Sequence, residues 1–195
     1  AILAFNLLKC SAQGLIMEGD SVEEDTIVIK VSGKARSILK AERTSLNILG
    51  RMSGVATETN KMVKEARRAN QKIRVAATRK TQPGFRIFDK KAVKSGGGDP
   101  HRLRLDDAVL IKDNHLKITS SVTKAVQLAR KNVSFTKKIE VEASSAEEAL
   151  EAAEAGADIV LLDNMSPQEV SKVIKILKER HVRNGIFLEV SGGIR

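Results

Sequence analysis

From residue 73 onward the sequence alternates between short apolar runs and segments of helical period, and no other feature limits the possible folds so tightly. Residues 73–77, 109–111, 139–141, 158–162 and 186–190 read as strands, rich in Val, Ile, Leu and Ala. Between them lie helix-like segments at 85–93, at about 118–131 and at 143–155, and one opened by Ser166-Pro167, with proline at its favoured first position. Ser144 or Ser145 can cap the third of these, and Glu147 and Glu148 suit its first turn. Gly156 and Gly185 fall where helix-terminating glycines belong. Strands covered by helices in this alternation predict a parallel α/β sheet or barrel.

The ionisable residues follow the strands. Each of the five runs ends in charge or in Ser-Gly: Arg79 and Lys80, Lys112 and Asp113, Glu142, Asp163, then Glu189 with Ser191, Gly192 and Gly193. In a β/α barrel the carboxyl ends of the strands form one mouth, where several strands supply functional groups. Alternation along a strand puts Glu140 and Glu142 on one face and Ile139 and Val141 on the other, against helices; Leu161 and Asp163 share a face in the same way.

Residues 79–112 hold nine Lys or Arg and one His against four Asp. Cations at this density repel one another, so a fold that gathers them does so around an anion. The formal charge of the whole chain is +10, which puts nucleic acid among the possible partners, but aromatics are 3% with no Trp or Tyr, leaving little platform for stacking bases. The cations also follow strand ends rather than one helix face, so no nucleic-acid partner is expected. The single cysteine, Cys10, excludes an internal disulfide framework and a Cys-based zinc site, and fits a reducing cytoplasm. The opening AILAFNLL is too short to span a bilayer and has no basic region before it, so neither a signal peptide nor a membrane anchor is expected. Cations can hold carboxylates or phosphates, while the carboxylates are free to hold a divalent metal, grip sugar hydroxyls or stabilise developing positive charge.

Residues before Ser53 read differently. A β-rich run at 26–31, with Gly19-Asp20 as a turn and Gly33 as a stop, predicts hairpin-like sheet; helices follow at 36–52 and 58–69.

The segments AERTSLN, TRKTQPGFR, GGGDPHRLRLDDAVLIKDNH, IEVEASSAEEALEAAEAGADIVLLDN and LEVSGGI closely resemble the quinolinate phosphoribosyltransferase family, in order and over nearly the whole chain. The resemblance implies an incomplete parallel β/α barrel, residues 57–195, preceded by part of an open α/β sandwich domain with a connecting helix, residues 1–56. It implies transfer of the phosphoribosyl group of phosphoribosyl pyrophosphate to quinolinate with loss of pyrophosphate and carbon dioxide, a requirement for Mg2+, and a homodimer or multiple of dimers.

Carried over residue by residue, it assigns Arg79, His101, Arg102 and Lys112 to the dicarboxylate pocket. Lys80 falls on an essential lysine between quinolinate and the sugar phosphate. Arg43 falls on an arginine that reaches the neighbouring subunit's pocket, so active sites would be shared. Glu142 and Asp163 fall near the ribose and the metal, and Ser191, Gly192 and Gly193 on a phosphate-binding turn. Asp113, Asn114 and His115 match the family motif, with a structural role as probable as a functional one, and His181 and Glu189 are read as surface and strand-end residues. The chain departs from the pattern at Ala77, where many members are acidic, and at Pro100, where Asn precedes the His. Nicotinate phosphoribosyltransferase, of related fold, is the nearest alternative; the abundant cations favour a dicarboxylate.

Overall fold

The computed structural model of the protein describes residues 1–194. The chain forms two compact units, Ala1–Leu103 and a second from Arg104 onward.

The first unit opens with helix α1 (Ile2–Leu7) and the antiparallel strands β1 (Ser11–Gly14) and β2 (Ile29–Ser32), with Ser11 opposite Ser32 and Gly14 opposite Ile29. The expected sheet is therefore present, with β1 before the Gly19-Asp20 turn pairing with β2 after it across a long connection. Phe5, Cys10 and Ala41 form a small core here, joined by Ala12, Val31 and Ile38.

Two helices were expected at 36–52 and 58–69; one continuous helix, α2 (Ala35–Ala69), takes their place. The expected break between residues 52 and 58 does not form. Gly50 and Gly54 each cost about 1 kcal/mol relative to alanine in a helix interior, a penalty that packing of α2 against helix α3 (Arg86–Ser95) outweighs. Residue 56 thus lies inside a helix. The strand expected at 73–77 is reduced to a single parallel bridge, Ala76 to Asp99, held by Asp99 N–H to Val75 O at 2.8 Å and Ala77 N–H to Asp99 O at 2.9 Å. The ladder stops because the next donor in register, the His101 N–H, turns away in the left-handed region at φ 52° and donates to Asp99 Oδ1 instead.

The second unit is a parallel α/β layer. Strand β3 (Val109–Ile111) leads through helices α4 (Asp113–Thr119) and α5 (Val122–Asn132) to β4 (Ile139–Ala143). Helix α6 (Ala146–Glu154), strand β5 (Ile159–Asp163), helix α7 (Pro167–Glu179) and strand β6 (Phe187–Ser191) follow. The four strands pair in parallel in sequence order, β3-β4-β5-β6, so the expected α/β class and parallel sheet hold. The single helix expected at 118–131 is two, because Ser120 adopts φ 62° and breaks the run. Ser145 and Ser166 cap α6 and α7 as expected, and Ser166 with Glu169 forms a reciprocal capping box. Gly156 ends α6 at φ 88°, whereas His181, not Gly185, takes the left-handed position after α7.

The core of this layer is one-sided. Ile139, Val141, Ala143, Val160 and Leu162 are buried against helix residues such as Val126, Ala149, Val173 and Leu177. Burying each of the larger aliphatic side chains contributes about 1.5–3 kcal/mol. Because β-strand side chains alternate, this fixes which residues are left on the other face.

Candidate active site

The face of the sheet opposite the helices carries Glu140 and Glu142 from β4, Leu161 and Asp163 from β5, and Glu189 and Ser191 from β6. The register sets Glu142 beside Leu161, Leu161 beside Glu189, and Asp163 beside Ser191. Lys112, one residue beyond the buried Ile111, turns to the same side, and its Nζ donates to Glu142 Oε2 at 2.5 Å. Four of the residues expected at the site, Lys112, Glu142, Asp163 and Ser191, are thus gathered by strand geometry at the carboxyl end of one sheet. Glu140 and Glu189 join them. Glu189 is half-buried on this face rather than a mere strand-end residue, and Glu140 is 2% exposed.

At the tip of β5, Asn164 adopts φ 55° and donates from its side-chain amide to Asp163 Oδ2 at 2.8 Å; its N–H donates to Ser191 O at 2.8 Å. Its side chain lies so close to Gly192 that a Cβ there would sit 2.1 Å from Asn164 Oδ1. Gly192 and Gly193, at φ 87° and 62°, form consecutive left-handed turns, the conformation that aims successive backbone N–H groups to one side. Asp163, Asn164 and the Ser191-Gly192-Gly193 turn are therefore one tightly fitted feature. Asn164 had no assigned role in the sequence, and only its place directly after a strand-end acid signals it.

His115 proves structural: its Nδ1 accepts the Lys112 N–H at 2.9 Å in a capping box that opens α4. Asp113 and Asn114 are exposed residues of the same first turn, with Asp113 3.6 Å from Lys117 Nζ.

The remaining expected residues lie in the first unit. Arg43 is exposed on α2 and Lys80 is exposed after the Ala76 bridge. Arg79 is partly buried, and its Nε is buried without a hydrogen-bond partner. His101 and Arg102 are partly buried, the His101 N–H donating to Asp99 Oδ1 at 2.8 Å. Arg79 and Arg102, with Arg86, lie near a further residue of this unit, Lys90. It is 5% exposed, and its Nζ donates to Ala77 O at 3.0 Å and to Pro100 O. Burial pushes the Lys90 ammonium below its ordinary pKa, and repulsion from Arg86, Arg102 and Arg79 pushes the same way, against the pull of Asp99. Guanidiniums close enough to repel one buried ammonium share a neighbourhood, and that concentration of positive charge favours an anion there. Helix α3 buries Asp89, Lys90, Ala92 and Val93 while leaving Ile87 72% and Phe88 39% exposed, an inverted amphipathicity that no local pattern announces.

A parallel α/β layer with acids, a lysine and a glycine turn on one strand-end face fits the class of proteins that handle anionic small molecules at strand carboxyl ends. The chain belongs to the quinolinate phosphoribosyl transferase family: residues 1–53 match the model of its N-terminal domain and residues 55–195 that of its C-terminal domain. It is 51% identical over 178 residues to a probable nicotinate-nucleotide pyrophosphorylase (carboxylating) of Methanothermobacter thermautotrophicus, covering 91% of this chain and 64% of the relative. It is 43% identical over 190 residues to the human nicotinate-nucleotide pyrophosphorylase (carboxylating), covering 97% and 63%. Among solved structures, the nicotinate-nucleotide pyrophosphorylase from Francisella tularensis is 40% identical with a TM-score of 0.88, covering 98% of this chain and 66% of that one. The chain thus spans a little under two thirds of the length of these relatives.

Proposed function

We propose that the protein transfers the phosphoribosyl group of phosphoribosyl pyrophosphate to the ring nitrogen of quinolinate, giving nicotinate mononucleotide, pyrophosphate and carbon dioxide. The observation that carries this reading is the arrangement of Glu142, Asp163 and the Ser191-Gly192-Gly193 turn on one face of adjacent parallel strands, in a chain whose relatives bear this activity in their names.

Arg79, Arg102 and Lys112, with His101, supply positive hydrogen-bond donors suited to carboxylates, and Lys80 supplies an exposed ammonium. In the reaction the bond between the anomeric carbon and pyrophosphate breaks as the bond from the ring nitrogen forms. Positive charge gathers on the sugar in passing, and the carboxylates of Glu142 and Asp163 stabilise it; groups preorganised in this way are worth about 3 kcal/mol each. The alkylated ring nitrogen then accepts the electron pair left when the adjacent carboxylate departs as carbon dioxide, and a proton from solvent replaces it on carbon. The Ser191-Gly192-Gly193 turn offers backbone N–H groups to phosphate.

Mg2+ fits this donor set. Asp163 Oδ2 is occupied by Asn164 and Glu142 Oε2 by Lys112, so each acid keeps one oxygen for a hard cation that takes only one or two protein carboxylates beside phosphate oxygens. When bound, the ion neutralises the charge of departing pyrophosphate.

We further propose a cytoplasmic homodimer, or multiple of dimers, in which Arg43 serves the partner's site. Among the described residues no helix is long and apolar enough to cross a membrane.

Incubation of the protein with quinolinate, phosphoribosyl pyrophosphate and Mg2+ tests the reaction, with carbon dioxide release as the readout. Turnover of nicotinate in place of quinolinate would replace this reading with that of the related nicotinate enzyme. Lys80→Ala is expected to abolish turnover without unfolding the protein, and near-normal turnover in it would count against the assignment. Mixing Arg43→Ala with Lys80→Ala protein restores part of the activity if sites are shared; a mixture as inactive as its parents excludes sharing.

A further inference from the structure

The loop that carries Arg79 and Lys80 is fastened at both of its ends by two neighbouring buried charges of α3. At its start, Lys90 Nζ donates to Ala77 O at 3.0 Å. At its far end, the Gln82 N–H donates to Asp89 Oδ2 at 3.3 Å. The same Lys90 Nζ also donates to Pro100 O, one residue before His101, so a single ammonium ties together the two segments that present Arg79 with Lys80 and His101 with Arg102. Asp89 is itself pinned to α2 by a two-pronged pair with Arg51, whose Nε and Nη2 reach Oδ1 and Oδ2 at 2.8 Å each. Asp89 and Lys90 are 6% and 5% exposed.

Burying charges is costly, and the cost is offset only where hydrogen bonds satisfy the buried groups, as two carbonyls do for Lys90 and as Arg51 and the Gln82 N–H do for Asp89. Here Lys90 lies among Arg86, Arg102 and Arg79, the surroundings least favourable to another cation. Packing does not account for it: a methionine or leucine would fill the volume beside Ala92 and Val93 without the electrostatic penalty. What those residues lack are donors. An ammonium has three, enough to satisfy two carbonyls that lie on separate segments and have no helix or strand to bind them.

We infer that Asp89 and Lys90 are positioning residues, a two-sided clamp that sets the 77–82 loop and the 99–102 segment in the geometry from which Arg79, Lys80, His101 and Arg102 meet their substrate. The inference rests on the proposed reaction only for the identity of that substrate; the clamp itself is a statement about the two segments.

The test is Lys90→Met, which keeps the length and apolar volume and removes the charge and the donors, with the exposed neighbour Lys91→Met as control. Two readouts are taken. Amide hydrogen exchange is expected to accelerate on the order of tenfold in 77–82 and 99–102 while the interior of α2 and the strands of the second unit keep their protection. The kcat/KM for quinolinate is expected to fall about 10²-fold, the usual cost of misplacing a site by about 1 Å, with Lys91→Met unaffected. Unchanged exchange in both segments would overturn the clamp whatever the activity did. Exchange that accelerated throughout the first unit while folded molecules kept their kcat/KM would also overturn it, leaving Lys90 a purely structural residue. If Lys90→Met does not fold, Asp89→Asn carries the test to the other end, where faster exchange at 81–82 with a matching fall in kcat/KM supports the clamp and unchanged values reject it. Should the unmodified protein leave quinolinate untouched, the proposed reaction falls, and the exchange result alone then decides for or against the clamp.

Discussion

Lys112 Nζ lies 2.5 Å from Glu142 Oε2, so the cation expected to bind a carboxylate substrate and the acid expected to face the sugar are, in this structure, bonded to each other. Lys112 is the more open of the two, its side chain 45% exposed against 19% for Glu142. Each neutralises the other's charge at the sheet edge and fixes its direction. The pair therefore works as one unit. Lys112→Met and Glu142→Gln are each expected to lower kcat/KM by about 10²-fold, and the double variant to lose far less than the product of the two. Steady-state kinetics on the four proteins decides the matter. Losses that simply multiply would show that the two side chains act separately.

Gly192 should tolerate no side chain. A Cβ would meet Asn164 Oδ1 at 2.1 Å and Asn164 N at 2.9 Å, and φ 87° disfavours any L residue. Gly192→Ala is expected to push Asn164 aside and with it the hydrogen bond to Asp163, at a local cost of about 1–3 kcal/mol. With turn and acid assigned to the phosphate and ribose side as proposed, KM for phosphoribosyl pyrophosphate should rise about tenfold or more while KM for quinolinate changes little. A variant with both values unchanged would remove the turn from the site.

The contact between α2 and α3 makes a different demand on Gly96. A Cβ at that position would lie 2.4 Å from Ala56 O and 2.8 Å from Thr59 Cβ, and the first of these belongs to helix backbone that cannot yield. Gly96→Ala should therefore lower stability by about 1–3 kcal/mol through overpacking. A falling midpoint in thermal unfolding, with kcat retained in the cold, is the expected pattern; an unmoved midpoint would mean that the helices separate freely.

How much of this was legible beforehand depended on whether the cause was local. The four strands of the second unit and the caps at Ser145 and Ser166 follow from period and capping chemistry, which act within a few residues, and these were read within a residue or two. The face shared by Glu142 and Asp163 follows from alternation alone. Failures occurred where distant partners decide. The 73–77 run looked like a strand, but a strand needs a neighbour, and the left-handed His101, whose N–H goes to Asp99 Oδ1, ends the pairing after one bridge. The expected break between residues 52 and 58 was overruled by α3, whose position no local pattern reveals. Lys90 had no role of its own among the nine cations of residues 79–112, because its burial depends on carbonyls ten and thirteen residues away. Pairing of Lys112 with Glu142 joins residues thirty apart, on adjacent strands.

Acid should reveal the anchoring of Asp89. The Arg51 fork holds its carboxyl below the usual carboxylate range, burial pushes the other way, and the Gln82 N–H adds to the lowering. A carboxyl whose pKa is depressed by folding stabilises the fold above its unfolded value, near about 3.9, and this contribution disappears as pH falls through the lower native value. Asp158 is also held low: burial raises it, but the Ile139 N–H and Arg130 more than offset that. Glu169 is lowered by its bonds to Ser166. The wild-type stability curve alone therefore cannot isolate Asp89. The difference between wild type and Asp89→Asn does, because the other carboxyls contribute equally to both. Denaturant unfolding followed from neutral pH into the acid range should show the variant less stable at neutral pH, with a gap that is constant above about pH 5 and closes progressively below it. A gap that stayed constant through the acid range would mean that the charge of Asp89 contributes nothing and that Asn serves Arg51 and Gln82 equally well.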